Sequence, residues 1–287
     1  MQASVLTLVR GRRDHLVHLM QGLARQTRPP AELVIAWMQD APHADLPDPG
    51  CPVRHIHVPG DPMPLAAARN RAAEAAACEL LVFLDVDCIP SPGLVEAYGT
   101  AAAGRAGLFL GEVLYLPDGA VGDGLDFDQL DALGRTHPSK PPVPAEGIRR
   151  EPDHGECWGL SFALPKERYA AIGGMDEAFT GYGGEETDFA VRLGASGLDV
   201  YWTAKARAYH QHHPVSVPPL HQFESILRNA ARFRERHGRW CMDYWLGQFR
   251  DAGLIAWDLD EPRIRVIRQP SAAEVAACRR GGETMFS

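Results

Sequence analysis

Two carboxylates, Asp85 and Asp87, follow directly on the apolar run Leu80-Leu81-Val82-Phe83-Leu84. Such a run reads as a buried strand, which puts the acids at a strand's carboxyl end, where open α/β sheets bind ligands. Two acidic side chains there, together with phosphate oxygens, suit a hard divalent cation, Mg²⁺ or Mn²⁺. The same spacing also fits an Asp capping the helix that begins near Ser91-Pro92. A second cluster, His210-Gln211-His212-His213, follows another strand-like segment. An imidazole added to the carboxylates favours Mn²⁺ over Mg²⁺. In extended backbone His210 and His212 share a face, while His213 points elsewhere or lies in the turn forced by Pro214, so one imidazole is expected to reach the cation.

The stretch Gly181-Tyr182-Gly183-Gly184-Glu185-Glu186-Thr187-Asp188 sets a glycine turn before an acidic helix start. Glycines let backbone approach a ligand closely, Tyr182 offers a platform for stacking a sugar, and a neighbouring carboxylate can act as general base. Acids in a first turn also complement the helix dipole. Glu185, Glu186 and Asp188 point in different directions, so spacing does not choose among them. Arg10 and Arg12 follow the first strand, and Arg69-Asn70-Arg71 lies in the helix before the fourth. Strand-end arginines are expected to contact a diphosphate.

Strands expected at Ala3–Val9, Glu32–Met38, Pro52–Val58 and Glu79–Leu84 alternate with helices at Arg13–Gln26 and Leu65–Cys78. That alternation predicts a largely parallel sheet covered on both faces. A helix is expected at 91–104, a strand at 107–116, a short helix at 125–133, a strand at 158–164 and helices at 165–172 and 184–196. Two short strand-like pieces, 198–202 and 206–210, precede helical stretches at 220–236 and 240–252 and a less patterned tail. Trp240, Tyr244, Trp245 and Phe249 recur near helical spacing, as a core-facing stripe does. The Gly-, Pro- and Asp-rich segment Pro117–Pro152 reads as an acceptor-selecting loop or a lid over bound donor.

Composition narrows the partners. Over 287 residues, 29 Lys+Arg against 37 Asp+Glu give a net charge of -8, the wrong sign for a nucleic-acid footprint. Arg10, Arg12 and Arg13 inside an acidic chain suit a small phosphorylated anion. The six cysteines form no C-x-x-C pair, which signals neither a zinc site nor a disulfide framework and predicts reduced thiols in the cytoplasm. No secretory leader pattern opens the sequence, and the longest apolar run is far short of the ~20 residues of a spanning helix, which predicts a soluble protein whose contact with a membrane, if any, would be peripheral.

Taken together these stretches resemble the GT-A glycosyltransferases, in particular family 2 enzymes and the β-1,4-galactosyltransferase type. Val9-Arg10-Gly11-Arg12-Arg13-Asp14-His15-Leu16 is similar to the galactosyltransferase F-R-N-R-x-x-H-L stretch, with Gly11 replacing Asn. Ala68-Arg69-Asn70-Arg71 resembles the family 2 A-R-N element, and Phe83-Leu84-Asp85-Val86-Asp87 its D-x-D strand. Gly159 to Asp188, through Ile172-Gly173-Gly174-Met175-Asp176 into Gly183-Gly184-Glu185-Glu186, resembles the galactosyltransferase carboxyl-terminal domain. The likeness covers about residues 1 to 214 and fades beyond.

The resemblance implies an α/β GT-A fold: a Rossmann-like nucleotide-binding half with a mixed, mostly parallel sheet and helices on both faces, plus a C-terminal helical extension. Residues 1–116 would form the nucleotide-sugar-binding half, 117–214 the acceptor and catalytic half, and 215–287 the extension and tail. Carried over residue by residue, Asp87 matches the metal-binding carboxylate, Asp85 the one nearer the ribose, and His213 or His210 the metal-binding histidine. Glu186 falls at the catalytic base, usually Asp. Glu185 and Tyr182 match acceptor and donor contacts, Tyr182 replacing a Trp. Arg10, Arg12, Arg69 and Asp40 match nucleotide contacts. The implied activity is inverting, single-displacement transfer from a nucleotide-sugar, by family default a UDP-sugar, to a glycan, lipid-linked or other hydroxyl acceptor, with Mn²⁺ or Mg²⁺. A sugar-phosphate nucleotidyltransferase would show a Gly-rich basic loop after the first strand, where Gly11 stands alone. A silent carbohydrate-binding protein would tolerate loss of the carboxylates.

Overall fold

In the computed structural model, which describes residues 1–122 and 124–281, the first half of the chain builds a parallel sheet from its most apolar runs. Every residue of β1 (Ala3–Val9) is buried, as are those of β2 (Glu32–Trp37) and β4 (Leu80–Leu84), whereas β3 (Val53–His57) is the half-exposed edge. Strands covered on both faces read as continuous apolar runs, which is why the sequence shows them. Helices α1 (Arg13–Leu23) and α2 (Leu65–Ala75) make the crossovers. Parallel pairing in the order β3-β2-β1-β4 follows.

The second half joins this sheet in mixed directions. After β4 the chain turns at once into β5 (Cys88–Pro90), then α3 (Leu94–Ala101) and β6 (Leu108–Tyr115). The segment 117–152 carries more regular structure than expected: α4 (Phe127–Leu133), β7 (Arg135–Thr136) and β8 (Ile148–Glu151). Next come β9 (Ser161–Pro165), α5 (Lys166–Ile172), α6 (Glu185–Ala195) and β10 (Val200–His210). Strand β9 sits antiparallel between β4 and β6, β10 runs parallel to β6, and β5 closes the edge antiparallel to β10. The two pieces expected at 198–202 and 206–210 are one strand. An irregularity between Trp202 and Arg207, with Lys205 in the left-handed region, breaks the alternation that marks a continuous strand.

Helices cover both faces. Leu16, Leu19 and Met20 of α1 and Leu94 and Tyr98 of α3 pack on one side; Ala66 and Ala72 of α2, Tyr169 of α5 and Phe189 of α6 pack on the other. Phe162 stacks on Phe83 at 4.7 Å beneath that second layer.

Beyond residue 214, α7 (Phe223–His237) and α8 (Asp243–Asp251) lie where helical stretches were expected, and β11 (Val215–Ser216), β12 (Ile255–Ala256), β13 (Arg265–Val266), α9 (Ala272–Ala277) and β14 (Arg279–Arg280) give the remainder more regular structure than the tail expected from sequence. Phe223, Ile226, Leu246, Phe249 and Trp257 form a core of their own. Of the aromatic stripe, Phe249 is buried and Trp240 and Trp245 pack against that core, but Tyr244 is 70% exposed. Among the described residues no helix is long and apolar enough to cross a membrane.

Candidate active site

Strand β5 assembles the first part of the site. Because only three residues separate it from β4, Asp85–Asp87 form a tight turn, fixed where Cys88 N–H donates to Asp85 C=O at 2.9 Å. Cys88 pairs in register with His210, and Gln211 N–H donates to Asp87 C=O at 2.7 Å. The carboxyl ends of β4 and β10 therefore meet at Asp87.

Around the 5%-exposed Asp87 stand His210 Nε2 and His213 Nε2, each 3.6 Å from one carboxylate oxygen, and the Arg12 guanidinium in close contact. One donor atom each from Asp87, His210 and His213 lies within 4.8 Å of the others. The expectation of a single imidazole is thus corrected: both His210 and His213 face the carboxylate. Strand alternation stops at His210, where β10 ends, so it no longer governs the residues after it. His212 turns away, its Nδ1 3.5 Å from Asp118. The segment is tied to α1, where His18 Nδ1 meets Gln211 Oε1 at 2.6 Å and His15 Nε2 meets His212 C=O at 3.2 Å. Sequence reasoning missed His15, His18 and Gln211, although the spacing of His15 and His18 by three on one helix face was a readable signal.

Burial pushes both imidazoles down, His213 to about 4 with help from the Arg12 charge, so at neutral pH each keeps a lone pair for a ligand. Burial alone would raise the Asp87 carboxyl, but His210, Arg12, His213 and His15 hold it below the usual carboxylate range. An ionised carboxylate beside two neutral imidazoles is a donor set able to hold a divalent transition-metal ion. Asp85 is absent from that set. Its carboxylate turns to Arg69 Nη2 at 3.3 Å, and burial pushes it up to about 8 against that attraction.

Arg69 organises the second part. Its side chain is 3% exposed and meets Asp85, Glu185 Oε1 at 3.4 Å and Glu186 Oε1 at 2.6 Å. The expected diphosphate contact at Arg69 is corrected accordingly, since its nitrogens face carboxylates inside the protein. Next to it Asn70 braces the Gly173–Glu177 loop: its amide donates to Met175 C=O and Glu177, and its oxygen accepts from Met175 N–H and the Tyr169 hydroxyl.

Gly184, in the left-handed region at φ 93°, turns the chain into α6. Successive residues of a first turn diverge, so Glu185 is buried beneath the site while Glu186 is half-buried at its wall. Burial and the Glu186 charge push Glu185 up to about 7. A side chain so enclosed does not match the acceptor contact expected of it. Asp188 is fully buried, paired with Arg192 at 2.8 Å and His237 at 2.8 Å, and is out of the cleft.

Glu186 is held from the far side by Gly159. At φ 52° only glycine is relaxed, and a Cβ there would overlap the Glu186 carboxylate. Gly159→Ala is therefore expected to displace that carboxylate and to cost about 1 kcal/mol of stability, read as a lower thermal midpoint. An unchanged midpoint would contradict this placement of Glu186.

The remaining expected donor contacts lie at the rim. Arg10 is exposed, reaching Gly60 C=O and Asp61, beside a cleft of about 550 Å³ that also has Met63, Gly181, His221 and Arg228 in its wall. Tyr182 is 36% exposed with its ring on Trp245, centroids 5.5 Å apart. Asp40 is exposed beyond β2.

Residues 146–214 match a family model described as the N-terminal domain of galactosyltransferase. The motif resemblance placed part of this stretch in the carboxyl-terminal domain of that type. Two proteins named validoxylamine A glucosyltransferase are similar over 204 residues: one from Streptomyces hygroscopicus subsp. jinggangensis (strain 5008), 28% identical, and one from Streptomyces hygroscopicus subsp. limoneus, 26% identical. The match takes in 60% of this chain and 44% and 42% of theirs, so the chain spans under half the length of these curated relatives. A crystal structure of GalNAc-T7 with UDP, GalNAc and Mn²⁺ superposes at a TM-score of 0.53 with 17% identity, over 74% of this chain and 43% of that one. The S. aureus TarS 1–349 structure gives 0.54 and 12%, over 82% and 66%. The chain has the GT-A fold and carries a segment similar to the galactosyltransferase family model, and the curated proteins it is similar to are named as glucosyltransferases.

Proposed function

We propose that this chain catalyses metal-dependent, inverting transfer of a sugar from a nucleotide-sugar donor, by preference a UDP-sugar, to an acceptor hydroxyl. The observation that carries the reading is the convergence of Asp87, His210 and His213 on one point at the strand ends, with the Glu186 carboxylate held nearby through the Arg69–Asp85 ion pair. GalNAc-T7 was solved with UDP and Mn²⁺, and the curated relatives are named for glucosyl transfer, which supports the donor class. Residues 1–116 would supply the donor half, 117–214 the acceptor and catalytic half, and 215–287 a helical extension.

In this reading Asp87, His210 and His213 would hold the cation, Mn²⁺ in preference to Mg²⁺, which when bound would supply charge neutralisation for the departing nucleoside diphosphate. Arg12, already at Asp87, and Arg10 at the rim add fixed positive charge on the leaving-group side. Glu186 takes the proton of the acceptor hydroxyl as it attacks the anomeric carbon. Arg69 fixes the direction of that carboxylate through a 2.6 Å bond. One displacement needs no protein nucleophile, so the anomeric configuration inverts.

The test is release of nucleoside diphosphate from a panel of nucleotide sugars, with product configuration read by NMR. Release that requires Mn²⁺, stops with EDTA and gives the opposite anomer is expected. Metal-independent release, or a retained anomer, would overturn the reading.

A further inference from the structure

Strand β6 pairs with β9 only at Phe109 and Leu110. Past that point the two strands part, and β6 is next paired on that side by β7 at Leu114 and Tyr115. The gap is a pocket of about 450 Å³, roofed by Pro138 to Val143 and walled by Trp158 and Trp202. That volume lies within the range of small-molecule sites.

Two contacts place the pocket against the reacting groups. Trp158 and Leu160 in its wall flank Gly159, the residue that abuts the Glu186 carboxylate. At the opposite end Tyr115 lines the pocket, and its ring lies 4.7 Å from that of His210. A molecule filling the pocket would thus reach from the proposed base, Glu186, toward the cation ligands.

The charges in the pocket are matched. Lys140 Nζ donates to the Glu156 carboxylate and carbonyl, both at 2.8 Å, and lies 3.5 Å from the centre of the Trp158 ring. Glu112 is taken by Arg207 at 2.7 Å. An incoming anion would have to compete with Glu156 for the ammonium, whereas hydroxyls can share the ion pair while C–H faces lie on indole.

We infer that this pocket between the diverging strands β6 and β9 is the acceptor subsite and takes an uncharged polyhydroxylated ring, a cyclitol or sugar, in preference to a phosphorylated one. The inference rests on the transferase reading. Burial pushes the Lys140 ammonium down to about 8, which further weakens any claim to a phosphate.

Binding is read by tryptophan fluorescence, with Trp158 and Trp202 as reporters, titrating neutral cyclitols and disaccharides against the matching sugar phosphates. Val143→Trp fills the pocket, and its thermal midpoint is recorded to show that it folds; Lys140→Met is the milder second variant. At least one neutral probe is expected to quench saturably, at least tenfold tighter than its phosphate, with affinity reduced tenfold or more in Val143→Trp and several-fold in Lys140→Met. Binding unaltered by both variants, tighter binding of the phosphates, or no response to any neutral probe would overturn the inference. Acceptor-free release of nucleoside diphosphate by the unaltered protein is measured separately. Its absence would count against the transferase reading and leave the binding result to decide on the pocket.

Discussion

Glu186→Gln should fold, bind Mn²⁺ and donor as the unaltered chain does, and transfer sugar about 10²–10⁴-fold more slowly, the range for loss of a positioned general base. The substitution keeps the shape of the side chain, and an amide oxygen can still accept from Arg69, so the site stays assembled. What it removes is the ability to take a proton. The loss should fall on kcat with little change in donor KM, since the group acts as the acceptor is deprotonated. A variant retaining more than a tenth of the activity would move the base elsewhere, with no other carboxylate of the α6 first turn well placed: Glu185 and Asp188 are buried.

Arg69→Met should cost about 3–5 kcal/mol, as removal of one partner from a buried ion-pair group does. At roughly 2–4 °C per kcal/mol, a thermal midpoint about 10 °C lower is expected. Asp85, Glu185 and Glu186 all lie within 3.4 Å of this one guanidinium. Without it, carboxylates already pushed up to about 8 and about 7 by burial would rise further. The folded variant would then hold protons that its unfolded chain releases, so its stability falls as pH rises from the ordinary carboxylate range toward 8. The deficit against the unaltered chain should therefore be smaller at pH 5 than at pH 8. A midpoint within 2 °C at pH 8 would show that Arg69 is not the keystone of the carboxylates. Arg69→Lys, keeping the charge but not the fork, should recover only part of the stability.

The parts of this site that were legible in the sequence are those set by local rules. Continuous apolar runs gave β1, β2 and β4, and the glycine turn gave the start of α6. The parts that were not legible depend on pairings between distant segments. Strand β5 is three residues long and ends in proline, too short to carry a period, yet its register with β10 is what delivers Asp87 to His210. Strand geometry turned His213 away from the cation because it was extended past the last paired residue, whereas the family resemblance had named His213 or His210 as the metal-binding histidine. The role of Arg69 had a signal that went unused. It sits at helical spacing with Ala66, Ala72 and Ala73 on the buried face of α2, and an arginine on such a face requires internal counter-charges. Of the Lys140 pocket only the roof had a local signature, in the Pro-rich segment read as an acceptor-selecting loop or a lid; the cavity itself arises from the parting of two strands more than 40 residues apart in sequence.

The convergence of one carboxylate and two imidazoles is tested most directly by counting bound manganese with electron paramagnetic resonance, in the presence of UDP, for the unaltered chain and for Asp87→Ala. One Mn²⁺ per chain is expected in the first, with binding weakened at least 100-fold in the second while the fold is retained. A stoichiometric ion that binds Asp87→Ala as tightly as the parent, or no bound ion at millimolar Mn²⁺ in the parent, would contradict the assignment.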